Sequence, residues 1–393
     1  MSKKKHISLY IHIPFCKVRC GYCDFNTYAG METWIPRYLD ALKAEIAYFA
    51  NHLQNDHYIH TIYFGGGTPS VIPAKLIADV LGLIRNQFDT DEKAEVTFEA
   101  NPNGLTQSYF MDICEAGINR VSIGMQSSVA TELEILDRQH SQTDVERCIE
   151  FVQRAGIANV NLDLIYGIPT QTMVTLKESV KAAAALKPNH LSVYGLILHE
   201  ETALFRKVAY SEIASIDEDL EADMYIWLMT NLSEMGYQQY EISNWVREKG
   251  DQSKHNLQYW RNLEYLGVGA GAHSHIGHFR WQNTLKIHTY IDAIQSIQAE
   301  QFLHSGCEDV TQLSAEDDLK ETMMMGLRLT EAGVSVQSLH ARFGVDIRDS
   351  YSKEIEKLSA SRLIELVKID GEDVLRLTER GRLLGNQVFM AFI

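Results

Sequence analysis

The sequence lacks any apolar run of about 18 residues, which is the length that a membrane-spanning helix requires. Its first six residues, Met-Ser-Lys-Lys-Lys-His, have no apolar segment behind the charges, so we expect no secretory signal. Cysteine is sparse, with six residues and no disulfide-like density, which is typical of proteins in a reducing compartment. We therefore expect a cytoplasmic protein with no spanning membrane segment.

Basic residues are also in short supply. The 36 Lys and Arg residues are outnumbered by 52 Asp and Glu residues, which gives a net charge of −16. Broad nucleic-acid binding requires a basic face, so we expect no nucleic-acid partner. No repeat or low-complexity tract is present, and 393 residues suit one large domain plus a smaller one.

Three of the six cysteines stand close together near the start of the chain. Cys16, Cys20 and Cys23 have the spacing C-x3-C-x2-C and follow a short apolar run over residues 7–13. Three thiolates on one tight loop can bind three irons of a [4Fe–4S] cluster. No fourth cysteine is near, so the fourth iron would stay open to an exchangeable ligand. The alternative is a structural zinc site or a chance spacing. Zinc sites, however, favour a C-x2-4-C pair together with a second pair of cysteines or histidines elsewhere in the chain.

Strand-like and helix-like segments alternate through the first 200 residues. After the first apolar run, the predicted strands cover 58–64, 94–100, 120–125, 159–165 and 190–197. The predicted helices cover 31–53, 73–88, 106–116, 143–155 and 173–186. This pattern predicts an α/β fold with a parallel sheet and helical crossovers. Six such units fit a partial (β/α)6, TIM-barrel-like fold, and a doubly wound sheet is the alternative that periodicity leaves open.

The character of the sequence changes after a long amphipathic helix predicted over 217–235. From about residue 311 the chain reads as helical segments, and it closes with a hairpin signal at Asp370-Gly371. We expect a barrel over 1–240, a connecting region over 241–305, and a mostly helical, winged-helix-like domain over 306–393. The acidic, mixed surface of the last region makes DNA binding the weaker interpretation.

Polar residues and glycines cluster near the predicted strand ends, where parallel α/β folds place their sites. The turn from Gly65 to Pro69 allows a close backbone approach to a ligand, although such a turn alone is usually only a turn. Glu99, Gln126, Arg138 and Asp163 lie near successive strand ends and together could bind ribose hydroxyls, a carboxylate and an ammonium group. Taken alone, a residue of each of these types is more often a surface residue or part of a salt bridge.

Histidines and aromatic residues cluster further along the chain. His255, Tyr259 and Trp260 could supply an axial haem ligand flanked by porphyrin-stacking rings, or a buried histidine within an aromatic cluster. His273, His275 and His278 are flanked by glycines, which predicts a tight loop over the mouth of the barrel. We assign no role to His275 and His278.

The cysteine loop resembles that of the radical SAM superfamily, in which S-adenosylmethionine (SAM) chelates the open iron. The fuller string from Tyr10 and His12 to Phe25 is similar to one branch, the oxygen-independent coproporphyrinogen III oxidases and their relatives, the HemW-type haem chaperones. Residues 255–260 match the H-N-x-x-Y-W motif of the chaperone branch. The resemblance implies that the SAM-binding residues are Tyr10, Tyr22, Gly66, Gly67, Thr68, Glu99, Gln126, Arg138, Asp163 and Ile197.

Two differences from the oxidases indicate which branch of the family this sequence resembles more. The oxidases have another cysteine two residues after the third cluster cysteine, where this chain has Phe25. They also have a longer N-terminal segment, whereas fifteen residues precede Cys16 here. The resemblance therefore favours a haem chaperone over an enzyme, with a [4Fe–4S] cluster, SAM and haem as cofactors, an unidentified haem-accepting protein as partner and a possible homodimer. The alternative function is oxidative decarboxylation of coproporphyrinogen III.

Overall fold

The computed structural model describes residues 4–298 and 300–393. Within these residues the strands are β1 (Lys5–Ile13), β2 (Phe15–Cys16), β3 (Tyr28–Ala29), β4 (His57–Gly66), β5 (Thr90–Ala100), β6 (Arg120–Gln126), β7 (Asn159–Tyr166), β8 (His190–Gly195), β9 (Gln238–Glu241), β10 (Asn244–Val246), β11 (Tyr265–Val268), β12 (His273–Ile276), β13 (Phe279–Asn283), β14 (Cys307–Gln312), β15 (Val334–Ser335), β16 (Ile364–Ile369) and β17 (Glu372–Leu377).

The α-helices of the same residues are α1 (Ile35–Leu53), α2 (Ala74–Gln87), α3 (Gln107–Ala116), α4 (Ala130–Ile135), α5 (Gln142–Arg154), α6 (Met173–Ala185), α7 (Ala203–Ala209), α8 (Glu218–Glu234), α9 (Lys254–Trp260), α10 (Ile287–Gln295), α11 (Ala315–Gly326), α12 (Val336–Phe343), α13 (Ile347–Ser350), α14 (Ser352–Ala360), α15 (Glu379–Leu383) and α16 (Gly385–Phe389). Short 3-10 turns cover Glu32–Trp34, Pro69–Val71, Lys249–Asp251 and Met390–Phe392. Over the described ranges, no helix is both long enough and apolar enough to span a membrane.

Contacts divide the chain into two compact units. The first unit contains the residues up to Glu221 together with Glu264–Thr311, and the second contains Ala222–Leu263 and Gln312–Ile393. The three regions expected from the sequence stay a prediction, because contact density does not test which segments fold independently.

The first unit is built on a sheet in which β1, β4, β5, β6, β7 and β8 are parallel and adjacent in this order. From β1 to β8 the chain therefore advances in one direction across these six parallel strands. A doubly wound sheet reverses its strand order at a switch point, whereas a (β/α) barrel does not. The mixed α/β class and the partial (β/α)6 barrel predicted from the sequence are confirmed.

The sheet continues on the other side of β1 with β11, β12, β13 and β14. The predicted tight loop over residues 273–278 is wrong, because His273 and His275 lie on strand β12, which pairs with β13 in antiparallel fashion. Gly269 and Gly271 adopt φ values of 100° and 79° and form the turn before this strand. The glycines on both sides therefore flank a short strand and not a loop, and Ser274 and His275 are buried in it.

Local signals set most helix ends of this unit. Helix α3 ends at Gly117, whose φ of 104° gives the predicted left-handed cap. Helix α1 begins at Ile35, four residues later than predicted, because residues 32–34 form a 3-10 turn before Pro36. Strand β8 ends at Gly195, so Ile197 lies in the loop that follows.

The second unit has its own hydrophobic core. Buried side chains of α11, α12, α14, β16, β17 and α16 form one cluster that includes Met323, Leu339 and Phe389. Strands β16 and β17 form the predicted hairpin, with Asp370 and Gly371 at positive φ in its turn. Together with the helices of this unit, the hairpin gives the mostly helical C-terminal region that the sequence predicts.

Candidate functional site: the cysteine loop, the barrel mouth and helix α9

The cysteine loop is closed at its base by strand pairing. Phe15 and Cys16 in β2 pair with Tyr28 and Ala29 in β3, so residues 17–27 project as a single loop. Within this loop the backbone N–H of Cys23 donates to the carbonyl of Cys20 at 3.1 Å, which forms a turn. All three thiols of the C-x3-C-x2-C motif therefore belong to one short, tied segment.

Each of the three thiols has a polar neighbour. Thr68 Oγ1 donates to Cys16 Sγ at 3.4 Å, and Arg138 Nη1 donates to Cys20 Sγ at 3.6 Å. Cys23 Sγ lies 3.8 Å from Thr27 Oγ1. Burial raises the pKa of the Cys16 and Cys23 thiols, while these hydrogen bonds lower it. Donors directed at sulfur stabilise the thiolate form that metals bind.

In the described part of the chain, no three His, Cys, Asp or Glu side chains converge on a point that could hold a single metal ion. The ligands of a [4Fe–4S] cluster bind separate irons and need not converge in this way. The fit of the loop to such a cluster therefore depends on the shared loop and on the donor beside each sulfur.

The glycine-rich turn after β4 lies against the cysteine loop. The N–H of Gly67 donates to the carbonyl of Ile13 at 2.8 Å, and the N–H of Thr68 donates to that of Phe15 at 2.9 Å. A Cβ atom on Gly67 would lie 2.8 Å from Phe15 O and 3.0 Å from Cys16 Sγ. Glycine is therefore required at this position for the close approach.

Aromatic and acidic side chains from β1, β4 and β5 meet beside this turn. Tyr63 donates its hydroxyl to Glu99 Oε1 at 2.7 Å, and Tyr10 stacks on Tyr63 with ring centroids 6.1 Å apart. Tyr10 in turn contacts His12 Nδ1 at 3.0 Å. Burial raises the pKa of Glu99 to about 7, and the nearby Asp163 carboxylate contributes to this rise.

The side of the mouth formed by β6 and β7 contains Asp163 and Arg138. Burial raises the pKa of Asp163 to about 6. The Arg138 guanidinium donates to the carbonyl of Gly124 at 2.8 Å as well as to Cys20. Burial opposes its charge, but Tyr22 and Cys20 outweigh this effect and raise the pKa of Arg138.

The structure corrects the expected position of one of these residues. Arg138 is not at a strand end but follows α4, and its long side chain reaches back to β6. Gln126 does end β6, with a φ of 65° and a register shift beside it. Such backbone conformations in non-glycine residues are concentrated at functional sites.

Two further expected SAM contacts, Tyr22 and Ile197, have fewer links to the residues of the mouth described above. Tyr22 is partly buried against the cluster of Leu136 and Ile165, and Coulombic interactions link it to Arg138. Ile197 is 69% exposed in the loop after β8. Phe25, which replaces the extra cysteine of the oxidases, is 63% exposed on the cysteine loop.

Two residues that shape the mouth, His12 and Asn26, were given no role from the sequence. His12 binds the carbonyl of Asn26 through Nε2 at 2.9 Å, and Asn26 donates to the carbonyls of Ala270 and Leu285. These contacts fasten the end of the cysteine loop to the segment after β11. The two-residue spacing of Tyr10 and His12 on β1 places them on one face of the strand and was the available signal.

The H-N-x-x-Y-W motif forms helix α9 in the second unit. Ser253 caps the helix by accepting a hydrogen bond from the N–H of Asn256 at 3.3 Å. His255 is 1% exposed, and its Nε2 lies 2.8 Å from the hydroxyl of Tyr259, one helical turn away. Trp260 is partly buried under the guanidinium of Arg328, at 5.4 Å from the ring centroid. The structure thus shows the buried histidine in an aromatic cluster that the sequence allowed as an alternative.

Comparisons with known proteins agree with this architecture. The model of the radical SAM superfamily matches residues 10–183, and that of the HemN C-terminal domain matches residues 313–384. The E. coli coproporphyrinogen III oxidase HemN, described as a radical SAM enzyme, has the same fold with a TM-score of 0.84. This structure is 23% identical, with 99% of this chain and 90% of that chain covered.

Curated relatives match over nearly the full length. The Heme chaperone HemW of Bacillus subtilis is 36% identical over 388 residues, with 98% of this chain and 99% of the relative covered. That of Mycobacterium tuberculosis is 37% identical, with 97% and 93% covered. The mouse mitochondrial radical S-adenosyl methionine domain-containing protein 1 is 33% identical, with 93% and 83% covered. This chain therefore belongs to the HemW family of haem chaperones, within the radical SAM superfamily.

Proposed function

We propose that this protein binds haem and transfers it to an acceptor protein, and that it also binds a [4Fe–4S] cluster and exchangeable SAM. The observation that carries the proposal is the full-length similarity to Heme chaperone HemW of Bacillus subtilis at 36% identity. The H-N-x-x-Y-W motif on helix α9 supports the haem part, and the tied cysteine loop supports the cluster part.

Cys16, Cys20 and Cys23 would hold the cluster. When bound, it supplies an iron with an open position that an amino acid group can chelate. Thr68, Arg138 and Thr27 would stabilise the thiolates through the contacts described above. Gly67 leaves room beside Cys16 Sγ, as its close approach requires.

The mouth of the barrel would bind SAM. Glu99 and Asp163 offer carboxylates for its cationic groups and hydroxyls. In the described part of the chain, the buried Nε of Arg138 has no hydrogen-bond partner, so this donor is available to a ligand. The proposed SAM contacts are Tyr10, Tyr22, Gly66, Gly67, Thr68, Glu99, Gln126, Arg138, Asp163 and Ile197.

His255 would be the haem ligand, with Tyr259 and Trp260 beside the porphyrin. Because His255 is 1% exposed and bonded to Tyr259, haem ligation requires this hydrogen bond to break and the histidine to become accessible. A chaperone must release its cargo. The Tyr259 hydroxyl would compete with the haem iron for His255 Nε2 and would thereby favour release.

The test is a haem titration of the full-length protein followed by absorption spectroscopy in the Soret region. His255→Ala should abolish the ligand-dependent Soret shift. Tyr259→Phe removes the competing hydroxyl and should tighten haem binding by about fivefold, the equivalent of one hydrogen bond of about 1 kcal/mol. His275→Ala, also a buried histidine, is the matched control and should leave the titration unchanged.

An unchanged Soret shift in His255→Ala would remove His255 as the ligand, and no haem binding by the wild-type protein would refute the proposed function. Weaker binding by Tyr259→Phe would instead make Tyr259 a contributor to ligation. Sustained conversion of coproporphyrinogen III under anaerobic, reducing conditions would overturn the choice of chaperone over oxidase.

A further inference from the structure

The interior of the barrel below Asp163 is polar, although barrels of this kind are usually filled with branched apolar side chains. In the register of the sheet, Asn161 on β7 lies beside Ser122 on β6 and His190 on β8, and Asp163 lies beside Ser192. Ser122, Asn161, His190 and Ser192 are each no more than 5% exposed. Buried polar groups at such positions are costly unless they are all hydrogen-bonded.

These side chains form one hydrogen-bonded group that supports the Asp163 carboxylate. Asn161 Nδ2 donates to Asp163 Oδ1 at 2.7 Å and to Ser122 Oγ at 2.7 Å. Ser122 Oγ lies 3.1 Å from both oxygens of Asp163 and can donate its single proton to either. Ser192 on β8 also forms a side-chain hydrogen bond with Asp163. All three partners of the carboxylate are therefore buried side chains of neighbouring strands.

The orientation of the Asn161 amide is set from β8. Its Oδ1 lies 2.6 Å from His190 Nδ1 and accepts from Ser192 Oγ at 3.2 Å. Burial lowers the pKa of His190 well below its usual value, so the ring is neutral and carries one proton. With this proton on Nδ1, the ring donates to Oδ1 and fixes the amide with its NH2 group toward Asp163.

We propose that Asn161, oriented by His190, is a positioning residue that keeps the Asp163 carboxylate ionised and turned toward the mouth as an acceptor for donor groups of SAM. This inference rests on the proposed SAM site and extends it to residues that do not touch the ligand.

The charges around Asp163 make such support necessary. The Asp163 carboxylate repels that of Glu99 and raises its pKa, and Tyr63 and Tyr22 also face Asp163. Arg138 is the cation that faces Asp163, and Arg120 is the cation that faces His190. Because Arg138 is shared with Cys20, neutral donors such as Asn161 and Ser122 take a large part in compensating the buried charge.

The experiment measures SAM affinity by isothermal titration calorimetry at pH 6 and pH 8, using full-length protein with a reconstituted cluster. Asn161→Asp replaces the amide donor with a second carboxylate of the same shape. At pH 8 the two carboxylates repel each other, and SAM should bind at least about tenfold more weakly. At pH 6 the pair shares a proton that can replace the lost N–H, and affinity should lie within about threefold of the wild-type value.

Two further comparisons separate positioning from general damage. Asn283→Asp is the matched control, because it also places a carboxylate against a buried one, Glu45, in the same unit. It should leave SAM affinity unchanged at both pH values. His190→Asn retains a donor near the place of Nδ1 and should preserve affinity, whereas His190→Leu removes it and should weaken binding by roughly tenfold.

Each outcome bears on one proposal. If the wild-type protein binds no SAM, the proposed SAM site fails. If it binds SAM and Asn161→Asp matches it at pH 8, or is equally weakened at both pH values, the positioning role is overturned. If Asn161→Asp does not fold, as judged by circular dichroism, equal affinities of His190→Asn and His190→Leu would overturn the role instead.

Discussion

The cysteine loop and helix α9 differ in how ready they are for a ligand. In the loop, donors from neighbouring segments already face the sulfurs of Cys16 and Cys20, and two of the three cysteines are only partly buried. In α9, the candidate ligand His255 is buried and bonded within its own helix. The first arrangement suits a resident cofactor, whereas the second suits a cargo that is taken up and released.

The largest effect should come from the loop. Cys20→Ser removes one of the three proposed thiolate ligands, so iron content and the absorbance of the reconstituted cluster should fall to background. Cys148→Ser is the control, because Cys148 is 2% exposed in α5 and belongs to no cysteine group. Equal iron contents in the two variants would show that the loop does not bind the cluster.

A smaller but still large effect should follow from filling the space beside Cys16. In Gly67→Ala the new Cβ would press on Phe15 O and Cys16 Sγ, which should cost about 1–3 kcal/mol of stability and lower the yield of reconstituted cluster. Gly82→Ala is the control, because Gly82 lies inside α2 and a Cβ added there would meet no atom within 4 Å beyond its own helix backbone. It should stabilise the protein by roughly 0.5–1 kcal/mol in urea denaturation. Similar losses in both variants would contradict the close approach.

Two carboxylates with raised pKa values allow a comparison of the units by pH. Burial raises the pKa of Glu99 in the first unit and of Glu241 in the second from 4.5 to about 7. For each group the pKa is higher in the folded protein than in the unfolded chain. The protonated carboxyl group therefore contributes stability that is fully present below pH 4.5 and is lost as the pH rises to about 7.

Glu99→Gln and Glu241→Gln should therefore each gain about 1–3 kcal/mol relative to the wild-type protein between pH 5 and pH 8, as measured by urea denaturation. Only Glu99→Gln should weaken SAM binding, because only Glu99 lies at the barrel mouth. A loss of SAM affinity in Glu241→Gln would show that the distinction between the units is wrong.

The smallest effect should come from the aromatic surroundings of α9. The guanidinium of Arg328 lies 5.4 Å from the Trp260 ring centroid and 4.6 Å from that of Phe389. Arg328→Met retains the apolar stem and removes the cation–π contacts, so it should destabilise the protein by about 1 kcal/mol in urea denaturation without changing iron content. A change in iron content would contradict the expectation that Arg328 acts within the second unit alone.

The sequence predicted well what depends on local periodicity. The alternating strands and helices, the cap at Gly117 and the hairpin at Asp370 and Gly371 all follow from neighbouring residues. Strand β12 was missed because its glycine-rich flanks resemble those of a loop, although its residues pair with β13.

The contacts that define the mouth depend on distant parts of the chain. Arg138 reaches Cys20 across 118 positions, and Asn161 meets His190 only because β7 and β8 pair in one particular register. The burial of His255 likewise depends on packing and not on the motif. Residue types therefore indicated which chemistry to expect, but strand register and long side chains decide which groups meet.

The pairing of β1 has a consequence for the order in which the chain can fold during synthesis. One neighbour of β1 is β4, but the other is β11, which begins at Tyr265. The hydrogen-bond partners of the Glu45 carboxylate are also synthesised much later than Glu45 itself, since they include Asn283, Tyr290 and His304. At about 5–20 residues per second, one edge of the first strand stays without its partner for on the order of tens of seconds on the ribosome. The nascent barrel is therefore an open sheet with an exposed edge until the segment that begins at Tyr265 emerges, and limited proteolysis of stalled chains that end before residue 264 or after residue 311 would reveal this difference.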